Sequence, residues 1–232
     1  MTVVAETHQV EFDGHCLAYR VSGQGSALVL LNLYRRRADM VQARVLSTKL
    51  RVFQVFPLGY GYSERVPGFA GERLVDQVLA VLDRHEVDRF VVWGYSKGGA
   101  MGLGIARATR RAAGVVCGGF WPGLVTPGLV RQMDRRLRPD HPSRSLWWWF
   151  KDFDWADELS RMSCARLLYW GSEDRQMAQR LRRTREQLTL QDVDFMEFPG
   201  FDHGGCSSPE ALESAVVPGV AGWLERRLGA EW

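Results

Sequence analysis

A serine between glycines is the strongest chemical signal in this chain. Residues 94–98 form a G-x-S-x-G pattern with Ser96 at its centre. The apolar run 90–93 before it predicts a strand, and the glycine- and alanine-rich stretch 97–111 after it predicts a thin helix that lies close to a sheet. Glycines allow a tight strand-to-helix turn, and the helix N-terminus places free N–H groups behind the serine. This context favours a nucleophilic serine over an idle serine in a turn.

The elements that must position this serine alternate between strands and helices. Strand patterns occur at 27–33, 51–56, 90–93, 114–117, 165–170 and 193–198, and helical patterns at 38–50, 71–85, 97–111, 175–190 and 209–228. An Asp13-Gly14 turn between two alternating runs predicts an N-terminal hairpin. The alternation predicts an α/β fold, a mostly parallel sheet with helices on both faces. Segment 119–162, rich in proline and tryptophan, breaks the alternation and predicts an insertion within one domain of residues 1–232.

Composition and charge disfavour several classes of function. The chain has 232 residues, 46% apolar and 25% charged, which is typical of a globular protein with a large core. Its net charge of +3 is too small to indicate nucleic acid or an anionic membrane as a partner. The four cysteines form no C-x-x-C pair or zinc-type cluster, so we expect no metal and no other cofactor. Without a transmembrane run or signal peptide, we expect a cytoplasmic protein; no feature indicates its oligomeric state.

Five blocks, in the same order, resemble the α/β-hydrolase fold superfamily over nearly the whole chain. The stretch QVEFDGHCLAYRVSGQGSALVLLN resembles its N-terminal hairpin and third strand, and RVFQVFPLGYGYSE its fourth strand with the loop that follows. GYSKGG resembles its nucleophile elbow, LLYWGSED its seventh strand with the acid loop, and FPGFDHGG its histidine loop. The resemblance implies an α/β-hydrolase fold with a short lid, and the activity of a serine hydrolase.

The same resemblance implies a catalytic triad, in the order serine, acid, histidine. Ser96 would be the nucleophile and His203, on the loop before the last helix, its general base. Asp174, four residues after the seventh strand, matches the acid position and could also cap the following helix. Glu173 is the first alternative for the acid, and Asp202 is the second.

The resemblance further implies an oxyanion hole made of two backbone N–H groups. One belongs to Lys97, and the other to Tyr34, with Leu33 as the alternative. The family usually has His-Gly in this loop, whereas here the residues are Asn32-Leu33-Tyr34-Arg35, without glycine. The arginines at 35–37 lie near the expected pocket mouth. A solvated loop is favoured for them over a clamp on a substrate carboxylate or phosphate.

In this family, the segment between the sixth and seventh strands usually carries the lid, which implies that 119–162 is a short lid. Its many aromatic residues predict an apolar, aromatic pocket for a hydrophobic small molecule. Consecutive tryptophans cannot all face one side of a helix, so some line the pocket and others attach the lid to the body. The expected pocket residues are Leu33, Tyr95, Trp121, Trp147 and Trp148.

Three functions are compatible with these residues. The leading hypothesis is a serine hydrolase that cleaves a carboxylic ester, thioester or lactone through an acyl-enzyme on Ser96. The second is a lyase or cyclase of a biosynthetic pathway, built on the same fold. The third is a ligand-binding receptor, which the intact set of serine, aspartate and histidine disfavours. Serine at the elbow disfavours haloalkane dehalogenases and epoxide hydrolases, which resemble this fold but use aspartate there.

Overall fold

A mostly parallel sheet of eight strands forms the centre of the protein. The computed structural model describes residues 6–31, 33, 37–66, 71, 73–120, 123–189 and 192–229. The strands are β1 (Thr7–Phe12), β2 (His15–Ser22), β3 (Ala27–Leu31), β4 (Arg51–Phe56), β5 (Phe90–Tyr95), β6 (Ala112–Gly118), β7 (Ala165–Gly171) and β8 (Val193–Phe198). Their order is β1-β2-β4-β3-β5-β6-β7-β8. Only the β1–β2 and β2–β4 pairs are antiparallel among these strands.

Helices cover both faces of the sheet, as predicted. They are α1 (Arg37–Leu46), α2 (Arg73–Asp83), α3 (Lys97–Ala108), α4 (Pro127–Arg136), α5 (Ser143–Trp149), α6 (Trp155–Ser160), α7 (Arg175–Thr189), α8 (Pro209–Ala211) and α9 (Val217–Leu228). Helices α1 and α9 pack on one face, and α2, α3 and α7 on the other. In the described part of the chain, no helix is both long enough and apolar enough to cross a membrane.

Local sequence patterns explain the elements that frame the sheet. In α2, Leu74, Val78 and Val81 recur at helical spacing, and all three side chains are fully buried against the sheet. In the first hairpin, Asp13 and Gly14 have φ values of 52° and 76°. Positive φ at both central residues is the geometry of the tight turn that matches the twist of paired strands. The predicted hairpin is therefore confirmed.

Two stretches differ from the predicted elements. Residues 209–228 are not one helix, because a π turn (Leu212–Val216) separates α8 from α9. Pro218, the second residue of α9, has no N–H to donate to the carbonyl four residues earlier, which favours an irregular turn at this point. Segment 119–162, for which no regular structure was predicted, contains the short helices α4, α5 and α6 between β6 and β7.

Candidate active site

Ser96 lies on a sharp turn between β5 and α3. Its φ is 55° and its ψ is −118°, a conformation that costs a non-glycine residue of the order of 1–3 kcal/mol. The surrounding backbone holds it there, because Ser96 N donates to the carbonyl of Gly118 at 2.7 Å. A Cβ at Gly94 would overlap the backbone of Gly98, so the turn requires glycine at that position. The turn thus presents the Ser96 side chain at the carboxyl edge of the sheet.

His203 connects Ser96 to a buried carboxylate. Its Nδ1 lies 2.7 Å from Asp174 Oδ2, and its Nε2 lies 3.2 Å from Ser96 Oγ. A carboxylate only accepts hydrogen bonds, so His203 Nδ1 carries the proton and donates to Asp174. His203 Nε2 then accepts a hydrogen bond from the Ser96 hydroxyl. The three residues, which follow β5, β7 and β8, meet because parallel strands end at the same edge of the sheet.

Asp174 has a second partner that fixes its orientation. The Oδ1 atom accepts a hydrogen bond from the backbone N–H of Met177 in the first turn of α7, at 3.2 Å. One carboxylate therefore caps the helix and holds the histidine, and its side chain is 7% exposed. The two alternative acids lie elsewhere. Glu173 is exposed. Asp202 Oδ1 accepts a hydrogen bond from the backbone N–H of Gly205, at 2.6 Å, within the histidine loop.

A cavity of about 300 Å³ opens beside the serine and the histidine. Of the expected pocket residues, Leu33 and Tyr95 line it, and Lys97 lies there at the start of α3. Two residues of α1, Asp39 and Gln42, also line it. The sequence analysis missed both residues of α1, because neither belongs to a motif; only the placement of the first helix after β3 could have pointed to them.

The tryptophans that the structure describes in segment 119–162 do not line this cavity. Trp147 is buried in the core, and Trp148 is 48% exposed, with Nε1 donating to Asp134 Oδ2 at 2.8 Å. Trp149 packs directly on Gly104 of α3 and stacks on Phe150, with 4.9 Å between the ring centroids. Successive helical residues point about 100° apart, so the three rings take three different directions. Trp147 and Trp149 attach the segment to the body of the protein, whereas Trp148 bonds within the segment.

Five positions of the predicted site and its mouth lie outside the residues that the structure describes. They are Asn32, Tyr34, Arg35, Arg36 and Trp121. The second oxyanion donor and one expected pocket wall therefore stay predictions.

The Tyr95 side chain joins the elbow to the histidine loop, which no sequence pattern indicated. Its Oη donates to the backbone carbonyl of His203 at 2.6 Å, and its ring centroid lies 5.3 Å from the His203 ring. Burial raises the pKa of the Tyr95 phenol, so the hydroxyl stays protonated and acts as the donor. The contact spans 108 positions of the chain.

The Cys206 thiol lies close to the candidate site and is neutral. Burial, and then the charges of Asp174 and Asp202, raise the pKa of Cys206 below the histidine loop to about 12, so its thiol stays protonated. Among the described residues, no group of three or more histidines, cysteines or acids is arranged to hold a metal ion.

No protein-family model and no curated protein matches the chain. Solved structures do match it. An esterase from Thermogutta terrifontis aligns with a TM-score of 0.74 at 19% identity, covering 96% of this chain and 99% of its own. A hydrolase from Pseudomonas aeruginosa PA01 aligns with a TM-score of 0.72 at 21% identity, and the alignment covers 97% of this chain and 98% of the hydrolase. An enol-lactonase from Burkholderia xenovorans LB400 aligns with a TM-score of 0.69 at 18% identity, and the alignment covers 92% of this chain and 100% of the lactonase. Together with the sheet topology, these alignments show that the chain has the α/β-hydrolase fold.

Proposed function

We propose that this α/β-hydrolase-fold chain is a serine hydrolase that cleaves a carboxylic ester, thioester or lactone of a hydrophobic small molecule. One observation carries the proposal: the His203 ring bonds Ser96 through one nitrogen and Asp174 through the other. This arrangement provides a nucleophile, a general base and a group that orients the base. The structural neighbours named as esterases and a lactonase support a hydrolytic activity.

The proposed reaction begins with attack of Ser96 Oγ on the substrate carbonyl. As the new C–O bond forms, the hydroxyl proton moves to His203 Nε2, and the Asp174 carboxylate stabilises the resulting imidazolium. His203 then gives this proton to the leaving alcohol or thiol as the scissile bond breaks, and an ester remains on Ser96. Water attacks that ester, His203 accepts its proton and returns it to Ser96 Oγ, and the carboxylic acid leaves.

Negative charge develops on the carbonyl oxygen during both steps. The backbone N–H of Lys97, the first residue of α3, is the first proposed donor to that oxygen. Tyr34 is the second proposed donor. The positive end of the α3 dipole adds to the same stabilisation.

The cavity supports a small substrate with an apolar part. Three leucines line the cavity with Ser96: Leu30 and Leu31 of β3, and Leu33 two positions after this strand. The volume of about 300 Å³ is at the lower end of the range for small-molecule sites. We propose segment 119–162 as the lid of this site.

A fluorophosphonate probe tests the nucleophile directly. We expect rapid labelling of the native protein, mapped by peptide analysis to Ser96. Ser96→Ala abolishes the labelling, and His203→Ala slows it by about 10³-fold or more because the hydroxyl loses its base. Ser160→Ala is the matched control: this hydroxyl bonds the carbonyl of Asp157 on the surface of α6, so its loss leaves labelling intact.

The result that overturns the proposal is a folded native protein that takes up no probe on Ser96. Labelling on Ser96 without turnover of any ester, thioester or lactone in a broad panel also contradicts hydrolysis, and it favours a lyase or cyclase on the same fold.

A further inference from the structure

A second cavity adjoins the first at Leu33. Its volume is about 620 Å³, and Leu33 lines it together with the loop after β4 and with Arg138, Asp140, His141 and Pro142. Leu33 also lines the cavity beside Ser96, so the two cavities meet at this residue. The hydrolytic mechanism makes no use of this second cavity.

Two contacts hold the walls of the second cavity together. Gly59 has a φ of 88°, and a Cβ there would lie 2.8 Å from the ring of Pro142, so the two walls meet at this point. Next to it, Tyr60 Oη and Ser143 Oγ form a buried hydrogen bond of 2.7 Å. The cavity is therefore present before a ligand enters, which lowers the entropic cost of binding.

The charged side chains along this cavity leave a surplus of positive charge. Arg65 and Arg138 line it, against one carboxylate, Asp140, which approaches Arg138 only to 3.9 Å. The neighbouring acid, Glu64, is turned away: its two oxygens bond the backbone N–H of Cys16 and the ring of His15, each at 3.0 Å. Among the described residues that line this cavity, two guanidinium groups therefore stand against one carboxylate.

His141 adds a neutral donor to the same wall. The backbone N–H of Ser143 donates to its Nδ1 at 3.0 Å, so the ring proton is on Nε2. Burial, and then the positive charges of Lys97 and Arg138, lower the pKa of His141, while Asp140 opposes them. The ring therefore stays neutral at neutral pH and offers one N–H.

We propose that the second cavity binds a carboxylate of the substrate, so that the substrate is an ester or thioester that also carries a free carboxylate. Arginine forks match a carboxylate, and the Nε2–H of His141 supplies a further donor. Asp140 disfavours a dianion, so a monoanion fits better than a phosphate. The hydrocarbon between the two functional groups lies against Leu33. This inference rests on the proposed hydrolase function.

Matched pairs of methyl esters test the inference. Monomethyl succinate, glutarate and adipate are each compared with methyl butyrate, pentanoate and hexanoate, which carry a methyl group in place of the carboxylate. Methanol release gives kcat/KM for each ester. For at least one pair we expect the native protein to prefer the acidic ester by about 10-fold or more, mainly through a lower KM. Added salt weakens this preference, since it screens the charges.

Three variants assign the preference to this cavity. Arg65→Gln and Arg138→Gln each lower the ratio of acidic to neutral ester by about 3- to 10-fold, because each removes one guanidinium. Arg131→Gln is the control: Arg131 is exposed on α4 of the same segment but does not line the cavity, so the ratio stays at the native value.

The outcomes separate this inference from the proposed function. A protein that labels on Ser96 and hydrolyses the neutral esters as well as the acidic ones is a hydrolase without the carboxylate subsite. A native ratio in both glutamine variants likewise overturns the subsite. Failure to label on Ser96 overturns both proposals, as does labelling without hydrolysis of any ester or thioester.

Discussion

The Tyr95 hydroxyl links the nucleophile turn to the loop that carries His203, and Tyr95→Phe removes only this link. The hydroxyl donates to the His203 carbonyl at 2.6 Å, while the ring packs on Gly119 and against the His203 ring. Phenylalanine keeps these ring contacts. We therefore expect the variant to fold and to hold His203 less firmly.

The size of the effect follows from a single neutral hydrogen bond. Such a bond contributes about 0.5–1.5 kcal/mol, and the His203 loop is exposed enough for water to reach the freed carbonyl. The Nε2 of His203 lies 3.2 Å from Ser96 Oγ, at the long end of the hydrogen-bond range, so any further displacement slows proton transfer. If the whole contribution serves to position the ring, kcat falls by about 2- to 10-fold. KM stays at the native value, since the hydroxyl is bonded to the loop.

Steady-state kinetics on the best ester substrate, together with thermal unfolding, check this prediction. Tyr19→Phe is the control, because the Oη of Tyr19 on β2 lies 3.2 Å from Nε2 of the His85 ring, and two strands, β4 and β3, separate β2 from β5 in the sheet. We expect both variants to lose similar stability and only Tyr95→Phe to lose kcat. An unchanged kcat in Tyr95→Phe refutes the positioning role. An equal loss of kcat in Tyr19→Phe would assign the effect to general destabilisation.

Three further predictions concern the acid, the thiols and the stability of the fold. Asp174→Asn lowers kcat by about 10³- to 10⁴-fold, because the amide no longer stabilises a His203 imidazolium, while its oxygen still caps α7 and keeps the unfolding temperature near native. In thiol titration of the native protein near pH 8, Cys16 reacts and the buried Cys206, whose pKa is raised to about 12, reacts only after denaturation. Burial lowers the pKa of His85 below 6.5 in the folded protein. The unfolded state then binds more protons, so the free energy of unfolding decreases as the pH falls below about 6.5, and His85→Gln flattens that decrease in urea titrations.

The sequence could predict the strand-to-helix turn at Ser96 because the signal is local. The neighbouring glycine is required by a steric contact within the same few residues, and the apolar strand leads directly into the helix. The approach of Asp174 and His203 follows from topology, since parallel strands end at one edge of the sheet. Both kinds of inference need only spacing and residue type.

The Tyr95 contact and the cavities could not be predicted in this way. Tyr95 and His203 are 108 positions apart in the sequence. No sequence pattern around Tyr95 indicates that its hydroxyl bonds a backbone carbonyl. The cavity lining from α1, Asp39 and Gln42, depends on how that helix crosses the sheet edge. Such placements depend on how the elements pack, which neither the spacing of apolar residues nor the composition determines.

The expected aromatic wall differs from the structure for a geometric reason that also bears on the substrate. Three consecutive tryptophans on α5 point in three directions, so Trp147 enters the core, Trp148 faces solvent and Trp149 lies on α3. The apolar surface of Trp147 and Trp149 stabilises the attachment of segment 119–162. Of the residues of that segment that line the cavity near Leu33, Arg138, Asp140 and His141 are polar and Pro142 is apolar. If the proposed carboxylate subsite holds, we expect substrate selection by this segment to depend more on charge than on aromatic contact. An acidic group on an otherwise apolar ester fits both the leucine wall beside Ser96 and the arginines beyond it.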